Sequence, residues 1–138
     1  MVSPVLTVSP EYPLEEAARL MVVHKIGSLP VVENERLVGI ITETDIFKQF
    51  VEILGGQTAA LRLTVQVPDS PGSLAKVVNA VAALRGNIRS VVLTPVVDGV
   101  ARSTTLWIEE IDGEVLASAI QNIPDVQLIQ IWHTPDNA

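Results

Sequence analysis

Thr42 and Asp45 stand three residues apart, directly after the apolar run Gly39-Ile40-Ile41 and at the start of a helix-like pattern. A strand that runs straight into a helix gathers free backbone N–H groups at the junction. Here it adds a hydroxyl and a carboxylate. These groups hold a small polar ligand; they do not break one. Thr42-Glu43-Thr44-Asp45 also has the spacing of a helix cap with an acidic partner at the third helical position, worth about 1 kcal/mol as structure alone. Upstream, Ile26-Gly27-Ser28-Leu29-Pro30-Val31-Val32 supplies the other strand of a hairpin. A second group of polar residues lies in Val67-Pro68-Asp69-Ser70-Pro71-Gly72-Ser73-Leu74, a strand end that opens into a helix. Asp69 and Ser70 read first as caps of that helix, with Pro71 at its first position. Gly72 can serve simply to let the helix approach a sheet.

Catalytic and metal chemistry find little support. There are no cysteines and only two histidines, His24 and His133. That excludes disulfides, thiolate chemistry and Cys-ligated metal, and leaves no ligand cluster at metal spacing. No serine or threonine sits in a nucleophile-elbow pattern beside a base. His24 reads as a favourable charge at a helix end, and Trp107 and Trp132 as core or interface residues.

The elements that position these residues follow from periodicity. Val5-Leu6-Thr7-Val8 reads as a strand. Leu14, Ala17, Ala18, Met21 and Val22 recur on one helical face after Pro13, and Gly27 is placed to end that helix. Strands are expected near 28–33 and 36–41 around an Asn34-Glu35 turn. The helix from Thr42 carries Ile46, Phe47, Phe50, Val51 and Leu54 on one side. Gly55-Gly56-Gln57-Thr58-Ala59-Ala60 lacks apolar periodicity and reads as a linker. Beyond it, Leu61, Leu63, Val65 and Val67 alternate with polar residues, a strand with one polar face. Leu74, Val77, Val78, Val81 and Leu84 form a helical stripe that Gly86-Asn87 closes. Strands near 88–96 and 101–109 are joined at Asp98-Gly99, a strong hairpin dipeptide. A short helix carries Val115, Leu116, Ala119 and Ile120, and a last strand runs from Val126 to Trp132. The expected class is α+β: β-α-β-β-α over 1–54, a linker over 55–60, a ferredoxin-like β-α-β-β-α-β over 61–132, and a tail over 133–138.

Composition narrows the partners. Of 138 residues, 48% are hydrophobic but only 4% aromatic, so the core is aliphatic. Small domains this apolar usually cover part of their surface with another subunit. A net charge of -7 argues against a nucleic-acid backbone or an anionic membrane surface as partner. No run of about 18 apolar residues indicates a membrane span. The N-terminus lacks the basic-then-apolar pattern of a signal peptide, so a cytoplasmic location is expected.

Residues 1–54 resemble a single CBS motif (named for cystathionine β-synthase), on the Gly27–Val32 and Gly39–Asp45 segments, Val8-Ser9-Pro10 and the amphipathic helix that follows. In that family two motifs pair into a Bateman module whose clefts hold AMP, ADP, ATP or S-adenosylmethionine. The resemblance implies that Thr42 contacts phosphate and Asp45 the ribose hydroxyls. Gly27 and Ser28 would border the phosphate or base, and Ser3 and Val5 would flank the adenine. Only one motif is present, so the module is completed by another chain, or this chain is a piece of a longer one. Gly27 and Ser28 supply no cation, which favours an AMP-like or uncharged adenosine ligand over ATP.

Residues 61–132 resemble an ACT domain, on Val67–Leu74 and on Gly86-Asn87-Ile88. In that family amino acids or other small metabolites bind between the first strand and first helix, usually where two copies meet. The resemblance implies a site of Asp69, Gly72, Ser73, Leu74 and Asn87. The N–H groups of Gly72 and Ser73 would face a carboxylate, and Asp69 and Asn87 an ammonium group. The order of the two parts is similar to that of AcuB-like acetoin-utilisation regulators, which usually carry two CBS motifs. The expectation is a non-enzymatic, ligand-sensing homo-oligomer, a dimer or higher even assembly, with an adenine nucleotide and an amino-acid effector. The alternative is a structural dimerisation or regulatory fragment of a larger enzyme or transporter with empty clefts.

Overall fold

From Leu61 to Pro68 the alternation read from sequence becomes a strand buried on every second residue. The computed structural model describes residues 5–55, 60–95 and 101–133. The chain divides into two compact units, Met1–Val51 and Glu52–Ala138. The expected Asp98-Gly99 turn, the tail beyond His133, most of the glycine linker and Ser3 lie outside the described residues.

In the first unit, α1 (Leu14–His24) precedes the antiparallel hairpin of β1 (Ser28–Glu33) and β2 (Arg36–Thr42), and α2 (Glu43–Ile53) follows. Asn34 and Glu35 join the strands, both in the left-handed region (φ 51° and 64°), as a two-residue hairpin turn with right-handed strand twist requires. The expected strand at Val5–Val8 reduces to one parallel bridge between Val8 and Val31. The Val8 N–H donates to Pro30 O at 3.0 Å and Val32 N–H donates to Val8 O at 2.8 Å. Pro30 has no N–H to extend the ladder. Gly27 does not end α1; Lys25 does, in a left-handed conformation (φ 54°).

Ala17, Met21, Val8 and Leu29 form the small core of this unit. Two short helices and a hairpin cannot enclose more. Val22, Leu37, Val38, Ile40, Phe47 and Phe50 are exposed, and α2 has no buried residue. Of the side expected to be apolar on α2, only Ile46 packs on the core.

The second unit is a four-stranded sheet with two helices in the order β3 (Leu61–Pro68), α3 (Ser73–Ala83), β4 (Asn87–Pro95), β5 (Ala101–Glu109), α4 (Gly113–Gln121) and β6 (Gln127–His133). The strands lie β4-β5-β3-β6, and every neighbouring pair is antiparallel. This is the β-α-β-β-α-β plan expected from sequence. Leu61, Leu63, Val65 and Val67 of β3 pack with Leu106 and Ile108 of β5 under Val77 and Val81 of α3 and Leu116 and Ile120 of α4. The opposite face is polar: the Arg62 guanidinium lies 5.4 Å from the Trp107 ring centre and donates to Thr64 Oγ1. Asp112 caps α4 by accepting from the N–H groups of Glu114 and Val115.

Gly86 has a packing role that its expected place as helix terminator hides. Arg85 takes the left-handed position after α3 (φ 61°). A Cβ on Gly86 would lie 2.9 Å from Ile108 Cγ2, Ile111 Cδ1 and Val81 Cγ1. The chain passes here too close to the core for any side chain.

Candidate functional site

At the end of β2 the chain turns into α2 through a closed set of hydrogen bonds. Thr42 N–H and Thr42 Oγ1 both donate to Asp45 Oδ2 at 2.9 Å. In return, Asp45 N–H donates to Thr42 Oγ1 at 3.2 Å. The Thr42 backbone and hydroxyl bonds, in that order, hold the Asp45 carboxyl below its ordinary value, with a smaller pull from Lys48. Hydrogen bonds donated to a carboxylate stabilise its charged form. Oδ1 makes no hydrogen bond among the described residues.

Sheet register carries Ser28 to this junction, because it stands opposite Thr42. Gly27 O accepts from Glu43 N–H at 3.2 Å. Gly27, Ser28, Thr42 and Asp45 therefore meet at one end of the hairpin. Val5 is 73% exposed, and Ser3 lies outside the described residues.

The second candidate site is a cleft of about 230 Å³ at the end of β3, lined by Asp69, Gly72, Ser73, Leu74, Leu93 and Arg102 among others. Its structure corrects four expectations. Neither Asp69 nor Ser70 caps α3; the N-cap position is Gly72, and no side chain caps the helix, the Ser70 hydroxyl bonding the Ser73 hydroxyl instead at 3.0 Å. Ser73 N–H is not open, since it donates to Ser70 O at 3.3 Å. Gly72 does not serve a close approach, since a Cβ there would meet nothing within 4 Å; its φ of +87° is what demands glycine. Asn87 belongs to the opposite end of the sheet: it pairs with Glu109 and donates to Glu109 Oε2 at 3.5 Å, while the cleft lies beside the β5 start, where Arg102 pairs with Val67. β4 begins at Asn87 and runs parallel to β3, so its first residue lies beside Leu61 rather than Pro68.

What remains at the cleft is the start of α3 and a cation that no motif indicated. The N–H groups of Gly72, Leu74 and Ala75 have no backbone acceptor among the described residues. Arg102 donates through a terminal guanidinium nitrogen to Asp69 Oδ1 at 2.9 Å. Arg102 Nε and Thr104 Oγ1 are buried without a hydrogen-bond partner among the described residues. The signal for these two was present in the sequence. Ile108, Leu106, Thr104 and Arg102 alternate along β5, so two polar residues occupy core-facing positions.

Comparison with known proteins divides the chain in the same two parts. Residues 1–52 match the CBS domain and residues 61–123 match the ACT domain. The chain carries a CBS domain followed by an ACT domain. Both are regulatory modules. The CBS part is similar to inosine-5'-monophosphate dehydrogenases of Korarchaeum cryptofilum (54% identical over 43 residues, 31% of this chain and 9% of the relative) and Thermoplasma acidophilum (50% over 42 residues, 30% and 9%). A longer match is to the CBS domain-containing protein YhcV of Bacillus subtilis, 37% identical over 79 residues, 57% of this chain and 47% of that protein. The chain thus spans less than half the length of these curated relatives. Among solved structures, an unknown protein from Galdieria sulphuraria aligns with a TM-score of 0.47 and 16% identity over 56% of this chain and 45% of that one. No helix among the described residues is long and apolar enough to cross a membrane. No group of His, Asp or Glu among them is placed to hold a metal ion.

Proposed function

We propose that this chain is a non-catalytic regulatory protein that senses small molecules, with an adenine nucleotide of the AMP type in the CBS domain. The observation that carries the reading is the Thr42–Asp45 junction. Its Oδ2 is fully engaged with Thr42, while Oδ1 is unengaged among the described residues and offers two lone pairs. That oxygen suits a pair of ribose hydroxyls. Of the first N–H groups of α2, those of Glu43 and Asp45 are already engaged, by Gly27 O and Thr42 Oγ1, so a phosphate would take the Thr44 N–H and would reach the Thr42 hydroxyl only by displacing its bond to Asp45. Gly27 and Ser28 border the same point, and Ser3 and Val5 are assigned to the adenine by resemblance alone. With Glu43 and Asp45 both in the first turn of α2, a monophosphate meets less repulsion than ADP or ATP; S-adenosylmethionine, which lacks phosphates, is the other acceptable ligand. The ACT domain takes a small zwitterion or carboxylate. The order of the two domains, similar to that of AcuB-like regulators, supports the regulatory reading.

The protein acts as a homodimer or higher even oligomer in this reading. The exposed Val22, Leu37, Ile40, Phe47 and Phe50 are the surface that a second CBS domain covers. The same exposed side chains favour the competing reading, a dimerisation module with empty clefts. Melting the full chain with and without AMP separates the two. AMP at 100 times its dissociation constant stabilises a binding protein by about 2.7 kcal/mol, and an empty module by nothing. Asp45→Ala is expected to remove that rise. If it lowers only the ligand-free melting temperature and leaves the rise intact, Asp45 is a cap and not a ligand contact.

A further inference from the structure

We propose that the free edge of β6 is an interface whose occupant is β6 of a second copy of this chain, paired antiparallel so that two four-stranded sheets join into one. The inference rests on the reading that the chain works as a homo-oligomer, and it adds where the second units meet. The order β4-β5-β3-β6 leaves two edge strands, each with backbone N–H and C=O groups that no neighbouring strand takes. The two edges differ. β4 is guarded: the Arg89 side chain is 45% exposed, the strand ends on Pro95, and the Ser90 hydroxyl is tied to Ile53 O. Charge and proline are what proteins place on an edge that must stay unpaired. β6 carries neither, since Gln127-Leu128-Ile129-Gln130-Ile131-Trp132-His133 contains no Asp, Glu, Lys, Arg or Pro. Its register against β3 slips once, between Thr64 and Val65, and leaves Ile129 without a partner there. A bulge can itself guard an edge, yet this one leaves an apolar side chain 48% exposed where a guard would be charged. An apolar, uncharged strand is an aggregation hazard while its edge stays open.

A copy of the same strand suits this edge. Self-pairing is isologous: residue i of one strand meets j of the other, and j meets i. With no carboxylate, ammonium or guanidinium on β6, no register of that pairing sets like charges opposite each other. Antiparallel pairing also brings the His133 end of each strand to the Asp125 end of the other, an imidazole beside a carboxylate at both ends of the junction. In-register parallel pairing would set Asp125 against Asp125. Beside the edge, a groove of about 380 Å³ lies between β6 and α4, lined by Gly113, Glu114, Ala117, Ile129 and Ile131 among others. Gly113 and Ala117 stand four apart on one side of α4 and put no more than a methyl group there, so a second α4 can approach across the junction. Glu114 follows Gly113, where a Cβ would lie 3.1 Å from the His133 ring. The Glu114 side chains of an antiparallel pair therefore lie at opposite ends of the junction.

The test uses the full chain, which has no native cysteine, so one introduced thiol reports one contact. At the middle of β6, Ile129→Cys or its neighbour Gln130→Cys is expected to form an intermolecular disulfide under mild oxidation, because directly opposed residues fall within disulfide reach. Val91→Cys at the middle of β4 and Asp125→Cys alone are not; Asp125→Cys combined with His133→Cys is. Hydrogen exchange reads the same edge. The alternate amides of residues 127–133 that point away from β3 are expected to exchange at least tenfold more slowly in the native protein than in Ile129→Lys. Ile129→Lys is expected to weaken self-association at least tenfold, and a native-like spectrum away from β6 shows that it is folded. Crosslinking at Val91 in place of β6, or through Asp125→Cys alone, overturns the inference. So does an assembled native protein whose outward β6 amides exchange as fast as those of Ile129→Lys. That result leaves the edge to an unrelated strand or to none, while the oligomeric reading survives through the exposed CBS surface. A native monomer at micromolar concentration removes both.

Discussion

Gly86→Ala adds a single methyl group at the point where the chain leaves α3 for β4. The new Cβ would lie 2.9 Å from three carbon atoms, of Ile108, Ile111 and Val81. Ile111 Cδ1 is the end of a flexible, part-buried side chain and can swing aside. Val81 Cγ1 and Ile108 Cγ2 cannot, because both are branch methyls fixed at χ1 and their residues are 0% and 1% exposed in the core. The backbone of α3 or β5 must therefore move. Overpacking of this kind costs about 1–3 kcal/mol, and two rigid contacts place it at about 2–3 kcal/mol. Replacing glycine also removes freedom from the unfolded chain, which offsets about 0.4–1 kcal/mol. The net loss is about 1–2.5 kcal/mol, which lowers the melting temperature of a domain this size by about 4–20 °C. Calorimetry of the full chain reads it directly, with any AMP response of the CBS domain as an internal control. Adding Val81→Ala is expected to recover part of the loss only if crowding is the cause. A Gly86→Ala protein that melts within about 2 °C of the native one would refute the packing argument.

Three further outcomes follow from the geometry. Gly72→Ala is expected to destabilise the ACT domain by about 1–2 kcal/mol through its left-handed φ of +87°, with Gly72→Asn less damaging because Asn tolerates that region; equal melting temperatures for the two variants would contradict this. Because the folded-state pKa of Asp45 is depressed, its stabilising contribution is fully present above the unfolded carboxyl value and disappears as pH falls through the folded one. The melting difference between the native protein and Asp45→Asn is therefore expected to shrink as pH is lowered from 7 to 3, and a difference independent of pH would exclude the charge as its source. Light scattering at micromolar concentration is expected to show a dimer or larger even assembly, with Phe47→Glu shifting it toward monomer at little cost to the monomer, since Phe47 is already 67% exposed; a native monomer counts against the assembly.

The fold was legible where one face of an element is buried. On β3 the alternation Leu61, Leu63, Val65, Val67 is the burial pattern itself, and the Asn34-Glu35 turn is the hairpin turn expected. The α2 helix shows the limit of the same reasoning. Its apolar side is written in the sequence, but periodicity says only that a face wants cover, and no residue of α2 is buried within this chain. The glycines show another. Gly27, Gly72 and Gly86 read alike as terminators or close approaches, yet Lys25 and Arg85 take the left-handed positions, Gly72 needs its φ, and Gly86 needs its space.

The candidate sites separate by how far apart in sequence their members are. Thr42 and Asp45 are near neighbours, so local spacing was enough to find their hydrogen bonds. Asn87 was expected at the ACT cleft and lies at the other end of the sheet, whereas Arg102, which was not expected there, lines the cleft, and both differences have one cause. Which end of a sheet a residue reaches depends on strand direction and register, and neither is local. Once β5 is known to run antiparallel to both β3 and β4, Val67 fixes Arg102 at the cleft and Glu109 fixes Asn87 at the other end. The remaining clue was chemical. An arginine and a threonine at core-facing positions beside Leu106 and Ile108 break the pattern of their own strand, and a buried polar group without a partner calls for a reason. Of the two, Arg102 lines the cleft at the end of β3 and pairs there with Asp69, while Thr104 lies deeper in the core.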